Sequence, residues 1–497
     1  MEIHKKYEIV NRVAKNSAFV FFARVTDIGI ALVSTALIAR YLGVTDFGSF
    51  AFVMAITIFL GPFTDFGFER ITTREIAGNK KLANRYLGSA VIARIFLSII
   101  IIIIIYFITM FFDWDKKIIQ AIYISTFAQL FMSTGMLAIG TFRAFERMEF
   151  ELLLNFIFNI IYIVLLIGVI LFNFGFLFIF GARLFASLLY MIILMVVAIR
   201  RFVKPILNVD IKLLRYLFKE AMPLGIFALL LTASFKVDIF VLNYFKGPEE
   251  VSLFEAAHRI IMQLQILPTS IVISLFPYFS RLAVESNDSL KISFYRSFKF
   301  LLIISLPLPI LIIFASDFII SVLYGNSFIG ASLSLSILSW TVAFLFLISL
   351  QTFVLTAKGR QVLNTISAGV CFMINLLLDI TLVPRYGYLG ASCATLISYI
   401  LLFAVSFYFV CRNVGIPPLG EILPKPFMSG AGMGIGCLFL YGRGGHALVT
   451  AEIVITLIVY VAMIYILKTF TPDELSIIKS IFLKQKFIEK RECNEVK

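Results

Sequence analysis

No connection between apolar segments of this chain exceeds about twenty residues, and no G-x-x-x-x-G-K-[ST] phosphate loop occurs. The first absence leaves no room for a soluble catalytic domain, and the second means the chain does not itself drive transport with ATP. Cysteine is scarce too: Cys371, Cys393, Cys411, Cys437 and Cys493 include no CxxC pair and no metal-ligand spacing. Neither a disulfide, a metal site nor a cofactor is expected from such a pattern. Charged residues make up only 14% of the chain. An ordinary soluble protein of this length would carry far more.

What is present is apolar. Hydrophobic residues account for 61% of the chain, mean hydropathy is +0.99, and there are 54 Phe. Runs such as SIIIIIIIYFI at 98–108 are continuous rather than alternating, which points to membrane helices and excludes a β-barrel. A net charge of +14 on a soluble protein would suggest nucleic acid. On a membrane protein it is better read as loop charge that sets topology, so no nucleic acid is expected. The first apolar segment is too long for the core of a signal peptide and lacks a small-x-small cleavage site. It is expected to stay as a membrane helix.

Fourteen spans are expected, at roughly 16–38, 49–68, 90–112, 119–141, 152–172, 175–198, 220–245, 251–276, 299–316, 331–356, 362–383, 388–411, 427–441 and 448–467. With a cytoplasmic N-terminus, 32 Lys and Arg fall on the inner side and 6 on the outer, as the positive-inside rule requires. Both termini are then cytoplasmic and the protein sits in the cell membrane. Span 13 carries GAGMGIG at 430–436, with GRGG following at 442–445, small residues that suit close helix packing. After Thr471-Pro472-Asp473-Glu474, a capping box with Pro at the first turn, Leu475, Ile478, Ile481 and Phe482 share one face. That pattern predicts an interfacial helix in a cytoplasmic amphipathic tail.

The chain also repeats itself. Lys15 matches Lys219 and Phe50 matches Phe254 at an offset of 204, and Pro62 matches Pro268 at 206. Thr141-Phe142 matches Thr352-Phe353 at 211, and Phe174-Gly175-Phe176-Leu177 matches Tyr386-Gly387-Tyr388-Leu389 at 212. A slowly drifting offset is what duplication with small insertions leaves behind. Six spans per copy is an even number, so the copies are parallel repeats. The fold expected is an all-α polytopic membrane protein with 14 transmembrane helices, two parallel six-helix repeats and two extra C-terminal helices. Its parts are a lobe at 1–204, a second lobe at 205–412, spans 13 and 14 at 413–468, and a tail at 469–497. Two such lobes with a path between them suit an alternating-access carrier, and a monomer is expected.

Ionisable residues at membrane depth are expensive and face a bundle interior or a water-filled path. Arg24 and Asp27 in span 1 share a face, as do Glu255 and Arg259 in span 8, so each pair is either self-satisfied or cavity-lining. Lys236 and Asp238 in span 7 are two apart and point to different faces, so each needs a partner elsewhere. Arg183 in span 6 has no local partner. Asn155, Asn159, Asn375 and Asp379 suit packing contacts between helices, and Arg94 lies close enough to the cytoplasmic face to snorkel. Asp27 and Asp238 are candidates for ion coupling. Pro62 and Pro268, at equivalent positions of the two copies, are candidate paired hinges.

The blocks IARYLGVTDFGSFAF at 38–52, TDFGFERITTREIAG at 64–78 and KVDIFVLNYFKGPEEVSLFEAAHRI ending at 260 carry a further signal. With LYGNSFIGASLSLSIL at 323–338 and LVPRYGYLGASCATLISYI at 382–400, they stand in consistent order and topology. In these the chain resembles the polysaccharide-transporter (Wzx-like) branch of the multidrug/oligosaccharidyl-lipid/polysaccharide exporter superfamily over spans 1 to 12. The resemblance implies a flippase for a polyprenyl- or dolichyl-phosphate-linked oligosaccharide. It also implies a cationic cavity in which Arg24, Lys236 and Arg259 bind the phosphate headgroup, with Lys236 facing Arg24 across the lobes. Arg183 is counted with them. Glu255 departs from the family, where a neutral residue is usual. Membrane lipid and glycan-assembly proteins are the implied partners. Two other readings stand beside it: a multidrug or organic-cation antiporter of the same superfamily, and a membrane enzyme acting on lipid-linked sugars. A lipid II-type flippase is a close variant of the first.

Overall fold

The computed structural model describes the backbone of residues 2–206, 210–440 and 446–470, and side chains from residue 26 onward except 223, 227, 231, 440 and 446–450. Every regular element among the described residues is helical. The N-terminal half holds α1 (Glu2–Asp65), α2 (Phe68–Gly78), α3 (Ala83–Phe111), α4 (Lys116–Ala144), α5 (Glu149–Leu171) and α6 (Phe176–Arg201). The second half runs through α7 (Ile211–Lys246), α8 (Pro248–Leu264), α9 (Ile266–Glu285), α10 (Asn287–Ser305), α11 (Pro307–Tyr324), α12 (Ala331–Ala357) and α13 (Gln361–Asn413). The short α14 (Leu419–Ile422), then α15 (Pro424–Leu440) and α16 (His446–Ile466), follow. Among the described residues, ten helical units are long and apolar enough to cross a bilayer, so the chain is a multi-pass helical membrane protein.

The longest units are bent. A straight helix of the 64 residues in α1 would run about 96 Å, far beyond a bilayer core of about 30 Å. Gly43 (φ 71°) interrupts it between the first two expected spans, and Gly387 (φ 55°) interrupts α13 between the eleventh and twelfth. Left-handed backbone of this kind favours glycine. It recurs at the spacing of the sequence repeat: Gly43 and Gly247 lie 204 positions apart, Gly175 and Gly387 lie 212 apart.

Proline sets other boundaries. α8 stops at Leu264 because Pro268, four residues on, has no N–H to donate to its carbonyl. Pro309 stands in the same relation to Ser305, the last residue of α10. Pro62 behaves differently from Pro268. It stays inside α1, and the break follows at Phe66 (φ 50°) and Gly67 (φ 85°). The two prolines therefore occupy unlike local geometries.

The two halves touch at both ends. At the end bearing Gly43 and Gly247, Thr45 donates to Glu249 at 3.0 Å and Arg40 donates to the carbonyls of Leu323 and Val322. There the backbones come so close that a Cβ on Gly48 would fall 1.7 Å from the Pro248 carbonyl oxygen. At the opposite end Arg74 pairs with Glu220 at 3.0 Å and with Glu75 at 2.8 Å, and Tyr216 donates to Glu75 at 3.1 Å. Arg85 pairs with Asp210 and holds that carboxylate below its ordinary range. The GRGG stretch at 442–445 and the amphipathic tail from 471 lie outside the described residues.

Candidate functional site

Between the two ends, charge collects in two places. The first is a cavity of about 120 Å³ where α1, α5 and α6 of the N-terminal half meet α8 of the second half. Arg183 from α6 and Arg259 from α8 both line it, with Asp27, Asn159 and Tyr162. Asp27 accepts from Asn159 at 2.6 Å. Arg183 has only the Met54 sulfur at 3.6 Å as a hydrogen-bond acceptor, a weak one, and makes no ion pair among the described residues. Two guanidinium groups thus face one space whose described lining holds a single carboxylate, itself already bonded. The space accommodates several waters or a phosphate-sized anion, but not a sugar chain.

The second collection surrounds Glu255. Its carboxylate takes Arg259 at 3.2 Å, His258 at 3.8 Å and Lys236 at 3.9 Å. Lys236 therefore turns to the second half's own carboxylate and is not among the residues that line the first cavity. The helices α7 and α8 that carry this pair are consecutive. The side chain of Arg24 lies outside the described residues.

Asp238, two positions from Lys236, points elsewhere, as helical spacing requires. It accepts from Asn375 at 2.9 Å and from Thr395 at 3.3 Å, and Asn375 also donates to Asp379 at 3.3 Å. This network lies on the wall of a cavity of about 500 Å³ inside the second half, which also reaches His258. Two carboxylates beside an amide and a hydroxyl form an oxygen-rich group suited to a proton or a hard cation. Asn375 and Asp379 thus join Asp238 rather than only packing helices. Thr395 and Tyr162 carry no local sequence signal, since Thr395 is 157 positions from Asp238.

Arg94 is not at a surface. It is fully buried and paired with Asp65, which also accepts from the backbone N–H groups of Gly67 and Glu69 at 3.2 Å. Its side chain is thus buried against Asp65 rather than snorkelling to the surface as expected from sequence.

Residues 13–283 match the family model described as polysaccharide biosynthesis protein, and residues 223–381 match the MatE model. An uncharacterized membrane protein of Methanocaldococcus jannaschii is 27% identical over 176 residues, 35% of each chain. The probable flippase AglR of Haloferax volcanii is 25% identical over 203 residues, 40% of this chain and 42% of that protein. The matches thus span well under half the length of these curated relatives. Among solved structures, the lipid II flippase MurJ in an inward closed conformation superposes with a TM-score of 0.77 at 18% identity, covering 91% of this chain and 98% of that one. At that identity the likeness is one of fold.

Proposed function

The chain belongs to the polysaccharide biosynthesis protein family, and from that premise we propose that it is a lipid-linked oligosaccharide flippase. It carries a polyprenyl- or dolichyl-phosphate-linked oligosaccharide from the cytoplasmic to the outer leaflet of the cell membrane, for surface polysaccharide or glycoconjugate assembly. It acts as a carrier rather than an enzyme. The lobes at 1–204 and 205–412 rock against one another, opening the space between them first to one side and then to the other. Named relatives support the flippase reading: a probable flippase by sequence and a lipid II flippase by fold.

The observation that carries the reading is the pair Arg183 and Arg259, contributed by opposite halves to one cavity. Guanidinium groups bind phosphate bidentately, and a pair fed from both halves senses their separation. Arg24 and Lys236 extend the same positive surface once the halves part. Asp238, with Asn375, Asp379 and Thr395, couples the cycle to a proton or a sodium ion, and Asp27 is the corresponding candidate in the first half. Pro62 and Pro268 are the points about which spans 2 and 8 bend.

A second reading, an organic-cation antiporter, is favoured by the MatE match over 223–381 and by the buried carboxylates Asp238 and Asp379. Proteoliposomes separate the two. Our reading expects no ethidium uptake driven by an imposed proton gradient, and binding of a prenyl-diphosphate-linked disaccharide. Ethidium-for-proton exchange with no response to the lipid-linked sugar overturns it.

A further inference from the structure

Glu255 is surrounded by more positive charge than one carboxylate neutralises. Its Oε1 takes the single contact within hydrogen-bond length, from Arg259 Nη1 at 3.2 Å. Among the described residues Oε2 has no hydrogen-bond partner, with Lys236 Nζ at 3.9 Å and His258 Nδ1 at 3.8 Å, both just out of reach. Arg259 Nε is likewise buried without a partner. The Glu255 side chain is 5% exposed, whereas that of Arg259 is 26% exposed and reaches the cavity it shares with Arg183. The guanidinium is therefore held from behind by one oxygen and open toward the space between the halves.

A buried arginine with no counter-charge is costly, and one saturated by carboxylates cannot take another anion. A monodentate contact lies between these limits. We infer that Glu255 is a resident counter-anion: it holds Arg259 in the unloaded carrier and yields it to the substrate's phosphate. Lys236 and His258, already turned toward Oε2, then close on the released carboxylate. The exchange swaps ion pairs and breaks no covalent bond. It keeps the charge around Arg259 balanced in both states and moderates phosphate affinity, so that the headgroup can leave on the far side. This inference rests on the flippase reading and adds the exchange step to it. A plain i,i+4 staple would look the same in the unloaded protein but would not compete with the ligand.

Calorimetric titration of the detergent-purified full chain distinguishes the two, with farnesyl diphosphate and inorganic pyrophosphate as probes. Glu255→Gln is expected to bind farnesyl diphosphate about tenfold tighter than wild type, the equivalent of one freed charge-assisted contact. Glu285→Gln removes a negative charge from an exposed pair with Arg281, away from the cavity, so its shift stays below about threefold. Glu255→Asp keeps the charge while shortening its reach, and should also bind tighter; it carries the test if Glu255→Gln does not fold. Farnesyl diphosphate should outbind pyrophosphate in every variant if the anion arrives on a lipid. Wild-type binding with both Glu255 variants unchanged or weaker overturns the counter-anion role and leaves the flippase reading standing. A shift seen with pyrophosphate alone overturns it in favour of a soluble-anion site. No binding of either probe by any of the proteins removes both.

Discussion

Arg183 and Arg259 should be unequal to the other buried bases, because among the described residues they are the two that share a wall between the halves without a saturating partner. Arg183→Ala and Arg259→Ala are each expected to slow headgroup transfer roughly tenfold to a hundredfold, the worth of one hydrogen bond to a charged group. Protein level and thermal unfolding should stay near wild type for Arg183→Ala. Arg94→Ala should do the reverse. Its fully buried guanidinium pairs with Asp65, and breaking such a pair costs about 3 kcal/mol of stability. A melting curve in detergent checks this, and an unchanged midpoint would contradict the structural role given to Arg94. At this scale the sequence was only half legible. Helical spacing correctly separated Lys236 from Asp238, because side-chain direction follows from the turn. It could not choose their partners: Asn375 lies 137 positions from Asp238, and no local period links the two.

Among the helices, the glycine kinks invite a paired test. A Cβ at Gly387 would fall 2.3 Å from the Glu250 carboxylate that accepts the Tyr388 N–H at 2.7 Å. At its repeat counterpart Gly175, nothing lies within 4 Å. Both substitutions place a side chain in left-handed backbone, costing about 1–2 kcal/mol, but Gly387→Ala adds a steric clash and should lower the melting midpoint further than Gly175→Ala. Equal shifts would mean that the Glu250 contact contributes nothing. The elements themselves were largely legible, since an apolar run of sufficient length needs only hydropathy to be seen. Their bends were not. Pro62 and Pro268 match in sequence, yet Pro268 follows a helix break while Pro62 precedes one, because Phe66 and Gly67 supply the turn after α1.

For the whole molecule, contacts at both ends hold the halves together; the arginine-lined cavity between them is too small for a sugar chain, while a mostly apolar one of about 770 Å³ lies between α1 and α7. Alternating access requires each end to release in turn. Cysteines replacing Thr45 and Glu249 at one end, or Arg74 and Glu220 at the other, should each stop transport under oxidation and restore it on reduction. Transport that continued with either end crosslinked would argue against rocking halves. The resemblance was legible at this scale because it is spread over hundreds of residues, which makes it robust to local error. Which residues meet at the two ends was not, since that depends on which of several packings the halves adopt.

The most direct measurement is leaflet exchange of a fluorescent prenyl-diphosphate-linked disaccharide in proteoliposomes, read by dithionite bleaching from outside. Wild-type protein is expected to carry bleaching well past the outer-leaflet share of the label, and the Arg183→Ala, Arg259→Ala double variant to stop at that share. Bleaching that halts at the outer-leaflet share with wild-type protein, or proceeds equally in the double variant, would contradict the account.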